Sequence, residues 1–268
     1  MAYPYLPIMQ YFLNDLKVSI NDINLYRENV VFALINSLPS IAAIAKDDDL
    51  SIQTLNLLLD KQVNIKQIDW MGNTIFFLLS KYFNTEMMRL VSIHGSDINL
   101  CNKLDENALI YYVRQKDTNR VKILINDFGV DINYQNKKKR TCMHYLYSDE
   151  TESTNTDETL CDFLLSCKPN LRLKDISGRS PIHYLFVKLN QEFQTDPLID
   201  PISSLSKLME YGDVDIEDTD IYGNTPLHYA VMRGSTISVL TLFFFFVDIN
   251  KKNNEGNSAL AYALMFIH

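Results

Sequence analysis

Glycine and proline are scarce, eight of each in 268 residues, too few for a low-complexity or collagen-like chain. Basic residues are outnumbered, 25 Lys and Arg against 33 Asp and Glu, for a net charge of -8. Such a chain repels phosphate backbones and anionic lipid, so neither nucleic acid nor a membrane is an expected partner. Long hydrophobic runs are missing too. The strongest, VLTLFFFFV at residues 239–247, is well short of the ~20 residues that span a bilayer and reads as a buried helix. The amino terminus, MAYPYLPIMQYF, has no basic n-region and no small-residue cleavage site, so a secretory signal is not expected. The four cysteines, Cys101, Cys142, Cys161 and Cys167, form no CxxC pair. They read as small hydrophobes in a reduced, intracellular chain. A zinc site built from Cys142, His144 and another cysteine has no supporting spacing. No P-loop, HExxH or dinucleotide fingerprint occurs, so no cofactor, no metal and no enzyme activity are expected.

What the chain does have is a pattern that returns. DIYGNTPLHYA at residues 220–230 is echoed by DISGRSPIHYL at 175–185 and KKKRTCMHYL at 137–146. KLDENALIYYV at 103–113, DWMGNTIFFLL at 69–79 and NEGNSALAYAL at 254–264 follow the same outline, and YRENVVFAL at 26–34 is a weaker copy. Aligned on the glycine, the equivalent positions are Glu28, Gly72, Glu106, Lys139, Gly178, Gly223 and Gly256, with spacings of 44, 34, 33, 39, 45 and 33. DIN, VNI or VDI triplets recur just before most copies. Local chemistry explains the order of residues. Gly223 suits a tight turn with positive φ, Thr225 is an N-cap whose hydroxyl accepts from the next turn, and Pro226 falls at N1, where a missing N–H costs nothing. A short helix then runs to about Gly234 and a second covers about Thr236 to Phe246, before an extended loop.

This unit resembles the ankyrin repeat, about 33 residues long with T-P-L-H-x-A opening its first helix. TPLHYA at residues 225–230 matches completely, SPIHYL at 180–185 and TCMHYL at 141–146 in part, and TIFFLL at 74–79 keeps only the cap. Asn29 and Asn107 stand where the two most divergent copies need a cap. The resemblance implies an all-α ankyrin-repeat solenoid of about six helix-turn-helix units. It forms one domain over 1–268, with units at 25–66, 67–100, 101–134, 135–173, 174–218 and 219–251 and partial units at 1–24 and 252–268. Neither end shows a polar capping face, which suggests a fragment of something longer and an exposed patch near Leu260, Leu264 and Phe266. The stretched units, rich in Asn, Ile, Tyr and Phe, are similar in style to the ankyrin proteins of poxviruses. That resemblance implies a non-catalytic protein that binds a host protein in the host cytoplasm and modulates innate immune signalling or host range. An alternative is the substrate-binding part of an F-box-type Skp1–cullin ubiquitin-ligase adaptor, the chain ending before any F-box.

In ankyrin repeats the hairpin tips and the inner face of the first helices bind partners. The matching tip positions are Trp70, Met71 and Asn73; Leu104, Asp105 and Asn107; Lys138 and Arg140; Ser177 and Arg179; and Ile221, Tyr222 and Asn224. Trp70, the sole Trp, is read either as an exposed interface anchor or as packing on the adjacent hairpin. KKKR at 137–140 is read as a solvated turn rather than a nuclear signal. His144, His183 and His228 share one motif position, so they read as structural residues bonded to the cap and a neighbouring loop; a catalytic base should be singular and paired with a nucleophile. Two inserts, residues 148–159 and 190–201, read as a mobile acidic loop and a long connection. The family also implies that Asn133 and Asn250, at the ends of DIN loops, are candidate sites of asparaginyl hydroxylation; the alternative is a side chain bonded within the loop.

Overall fold

The register of the fold is set by a turn that appears seven times among the described residues. In the computed structural model, which describes residues 11, 14, 19–44, 48–148, 158–188, 201–211 and 213–265, an Asp or Asn side chain opens each turn. These residues are Asn24, Asp69, Asn102, Asn136, Asp175, Asp220 and Asn253. In six of them Oδ1 accepts the backbone N–H groups two and four residues on, as Asp220 does from Tyr222 at 2.9 Å and Asn224 at 2.8 Å. Asp69 Oδ1 takes the N–H of Asn73. The residue three places after the anchor is left-handed: Arg27, Gly72, Asp105, Lys139, Gly178, Gly223 and Gly256. In the two divergent copies it is Arg27 (φ 63°) and Asp105 (φ 62°), not the Glu28 and Glu106 that the pattern assigns. Without a glycine to mark it, the turn is located only by its anchor.

Among the described residues there are thirteen helices and no strand beyond the isolated bridges Ile68–Thr74 and Lys252–Ser258. The chain comprises two compact units, residues 1–108 and 109–268. In the first, α1 (Val30–Ile44) packs on α2 (Asp48–Asp60) and on α3 (Ile75–Tyr82), while α4 (Thr85–Ile93) packs on α3 and α2. Phe32, Ile35, Leu55, Leu58, Phe76, Leu79, Met87 and Met88 form the core of this unit.

The second unit holds α5 (Ala108–Gln115) but for its first residue, then α6 (Thr118–Asn126), α7 (Cys142–Leu146), α8 (Glu158–Ser166), α9 (Pro181–Lys188), α10 (Pro201–Tyr211), α11 (Pro226–Met232), α12 (Thr236–Phe244) and α13 (Ala259–Met265). Two rows follow from the contacts. First helices stack as α7, α9, α11, α13; second helices stack as α6, α8, α10, α12. Capping fixes where the helices begin. Thr225 Oγ1 accepts from the His228 N–H at 3.4 Å and Pro226 follows at N1, and Asn84, Asp117 and Ser235 cap α4, α6 and α12.

Three expectations meet the structure here. α12 stops at Phe244, two residues early. The phenylalanine run is not buried: Ser238, Thr241 and Leu242 face the core, and Phe243, Phe244 and Phe246 are exposed. Its length and hydropathy fix a helix but not which side meets the core. Leu260 and Leu264 are exposed, while Phe266, residues 149–157 and 190–200 of the inserts, and most of residues 1–18 lie outside the described residues.

Candidate interaction surface

Successive tips are joined by backbone hydrogen bonds. In the first unit Trp70 N–H donates to the Tyr26 oxygen at 2.8 Å and Lys103 N–H to Met71 at 2.8 Å. In the second, Ile176 donates to Lys138 at 3.0 Å, Ile221 to Ser177 at 3.1 Å and Asn254 to Tyr222 at 2.9 Å. Within each unit the tips are thereby held side by side along the stack.

Behind the tips of the second unit runs a ladder of histidines. His144 Nδ1 accepts from the Thr141 N–H at 3.0 Å, and its Nε2 lies 3.1 Å from the Arg179 carbonyl in the next repeat. A carbonyl only accepts, so Nε2 carries the proton and Nδ1 is bare. His183 repeats this with Ser180 and Asn224, and His228 with Thr225 and Asn257. Each ring also meets the Tyr of the next repeat edge-on: His144 with Tyr184, His183 with Tyr229, His228 with Tyr262. Burial, which disfavours the charged ring, depresses all three, His144 to about 4. These are structural histidines in a repeated role, as the motif position indicates.

The tyrosines form a second row. Tyr184 O–H donates to Asp175 Oδ2 at 2.6 Å and Tyr229 O–H to Asp220 Oδ2 at 2.7 Å; Tyr145 and Tyr262 accept from Asn136 and Asn253. Burial works to raise Asp175, but the bonds from Tyr184, Arg179 and Ser177 outweigh it and hold the carboxyl below its ordinary range. Burial first, and then the bond to Asp175, push the Tyr184 hydroxyl well up.

The tip residues singled out by sequence fall into two groups. Trp70 is 50% exposed, Met71 is half-buried, and Leu104, Lys138, Ile221 and Tyr222 are turned to solvent. The others are tied into the fold. Asn73 Nδ2 donates to Asp69 and its Oδ1 accepts from Asn102, and Asn224 Oδ1 accepts from Asn253. Asn107 is buried and donates to the Asn99 oxygen. Asp105 is half-buried in its left-handed turn. Arg140 and Arg179 each place a guanidinium 5.1 Å from the Tyr184 ring centroid, beside the buried Asp175 carboxylate, a stacked geometry suited to arginine. Ile176 was missed: it is as exposed as Ile221 and, like Ile221 and Trp70, directly follows the anchoring Asp. That offset was available as a signal.

Asn133 Oδ1 accepts from the Asn170 N–H of the next loop at 2.8 Å. Cys142 is buried, its thiol pushed up to about 12 by burial, and donates to the Ile132 carbonyl. Among the described residues no three His, Cys, Asp or Glu gather as a metal cluster, and no helix is long and apolar enough to cross a membrane.

Comparison with solved structures places this geometry. The chain superposes on the ankyrin repeat domain of Bcl-3, a member of the IkappaB protein family, with a TM-score of 0.63 over 87% of this chain and 92% of that one, at 19% identity. The fold is that of the ankyrin repeat. Residues 151–268 match a family model comprising three ankyrin repeats. Among curated proteins, the chain is similar to the poly [ADP-ribose] polymerase tankyrase of Caenorhabditis elegans, 33% identical over 108 residues, or 37% of this chain. It is also similar to the human transient receptor potential cation channel subfamily A member 1, 24% identical over 179 residues, or 66% of this chain. The matched segments span 5% and 15% of those two proteins. Ankyrin repeats generally mediate protein–protein interaction, and the fold is typically a non-catalytic scaffold.

Proposed function

We propose that this chain is a non-catalytic protein-binding scaffold whose partner lies along the hairpin tips. The observation that carries the reading is the exposure of large apolar side chains at one repeated tip position. Ile176 and Ile221 sit on adjoining turns of the second unit with Tyr222 beside them, and Trp70 has the same offset in the first. Apolar and aromatic groups held on a rigid row supply contact area at little conformational cost, the property that marks interface anchors. The stretched, Asn-, Ile-, Tyr- and Phe-rich units support the finer reading of a poxvirus-type protein that holds a host protein in the cytoplasm and blunts innate signalling or extends host range.

The test is a tagged pull-down from mammalian cells, comparing wild type with Trp70→Ala and with Ile221→Ser. Host proteins retained by wild type and depleted at least several-fold by either substitution support the scaffold. Equal recovery by all three proteins removes the tip reading. Skp1 and cullin in the wild-type sample favour the ligase-adaptor alternative.

A further inference from the structure

The tips of the second unit are not alike. After their anchors they read KKKR at 137–140, ISGR at 176–179, IYGN at 221–224 and NEGN at 254–257. Ile176 bonds to Lys138 and Ile221 to Ser177 through the main chain, so this order in sequence is also the order in space. Positive charge is gathered at one end of the row, in a chain whose net charge is -8. Lys137, Lys138 and Lys139 are exposed. Arg140 and Arg179 flank one carboxylate, Asp175, whose Oδ1 already accepts two main-chain N–H groups and whose Oδ2 accepts the Tyr184 hydroxyl. Beside this basic end come Ile176, Ile221 and Tyr222, all more than half exposed. Lys139 has φ 55°, where the other three tips of the row carry glycine. A lysine there keeps its charge at a backbone cost that glycine would avoid.

We infer that this row takes an extended protein segment whose Asp and Glu carboxylates sit on the lysine and arginine tips and whose apolar side chains sit on Ile176, Ile221 and Tyr222. The inference rests on the tips being the binding surface and names the chemistry they select. Charge complementarity selects the carboxylates, and the change from basic to apolar along the row fixes which end of the segment lies where. A phosphate backbone would satisfy the lysines but would set charged oxygens against the isoleucines and Tyr222. Its continuation would also meet the acidic remainder of the chain. The scale suits a short peptide. Helices packed about 10 Å apart set three tips over about 20 Å, the reach of about six extended residues.

The test is selection of a phage-displayed library of random peptides, about 12 residues long, on the full immobilised chain. Enriched sequences should carry two or more Asp or Glu beside an aliphatic or aromatic residue. Fluorescence anisotropy with the best synthetic peptide should show affinity falling several-fold between about 50 and 300 mM NaCl. The double variant Lys137→Ser, Lys139→Gly should weaken it about tenfold, as should Ile221→Ser. The lysine variant removes two charges and restores glycine at a left-handed position, so its Tm should not fall, which separates lost binding from lost fold. Enriched peptides without acidic bias overturn the inference, as does a library that yields no binder or an affinity that the lysine variant leaves unchanged. Tighter binding of an oligothymidylate than of any peptide overturns it in favour of nucleic acid. Host proteins that Ile221→Ser releases in the pull-down but the lysine variant retains would leave the scaffold standing and remove the acidic segment.

Discussion

His144 and Arg179 belong to consecutive repeats, and the Nε2 of the first lies 3.1 Å from the main-chain oxygen of the second. The bond ties the first helix of one repeat to the turn of the next, while the bond that Nδ1 accepts from the Thr141 N–H requires a neutral ring. Unfolded histidine takes its proton near pH 6.5, whereas folded His144 resists it down to about 4. Through that window the unfolded state binds more protons, so stability is intact above about pH 6.5 and falls as the pH drops towards 4. His144 alone accounts for about 3 kcal/mol across the window, and His183 and His228 shift in the same direction. Urea midpoints measured between pH 7.5 and 4 should fall steadily, and His144→Asn should flatten the slope by about a third or more. A midpoint independent of pH would contradict the neutral ladder. Asp175 and Asp218, held below their ordinary range, lose their contribution only at more acid pH.

Gly223 and Gly256 occupy the same turn position with different surroundings. A Cβ on Gly223 would stand 2.5 Å from Asn254 Oδ1 and 2.8 Å from the Asn254 nitrogen, while one on Gly256 meets nothing within 4 Å. Gly256→Ala should cost only the left-handed backbone penalty, about 1 kcal/mol. Gly223→Val should cost about 3 kcal/mol or more, because it also forces apart the two tips. Equal losses in denaturant titrations would mean that tip contact adds nothing to stability.

Lys139 holds φ 55° without the freedom of glycine. Lys139→Gly relieves that strain and loses some chain entropy, for a net gain of about 0.5 kcal/mol. Thermal denaturation should show a small rise in Tm, and a fall would indicate that the lysine side chain supports the turn.

Tyr184→Phe deletes the 2.6 Å bond to the buried Asp175 carboxylate. A hydrogen bond to a charged group is worth about 1.5–3 kcal/mol, so a loss in that range is expected. The carboxyl should also titrate at higher pH, which NMR of the Asp175 side chain can read.

Much of this was legible in the sequence because the repeat restates its own rules. One Thr-x-x-His match is weak; His144, His183 and His228 in register make a ladder that the hydrogen bonds reproduce. The left-handed position falls one residue earlier, at Arg27 and Asp105, because these copies carry no glycine to mark it, and the Asn or Asp anchor is the more constant element. The phenylalanine run was assigned to the core because hydropathy averages over a helix, whereas burial depends on angle. Asn73 and Asn224 looked like surface groups because a tip is exposed as a whole. Their amides are turned sideways into the neighbouring turn, a direction that no single-repeat pattern encodes.

The bonds that join one tip to the next act along the stacking direction of the second unit, one main-chain donor per step. Tension applied along that direction would load the Ile176–Lys138, Ile221–Ser177 and Asn254–Tyr222 bonds in series, so the weakest step gives way before the others. The second unit would then lengthen in discrete increments, each releasing one repeat, and shed its load in a sawtooth rather than in a single rupture.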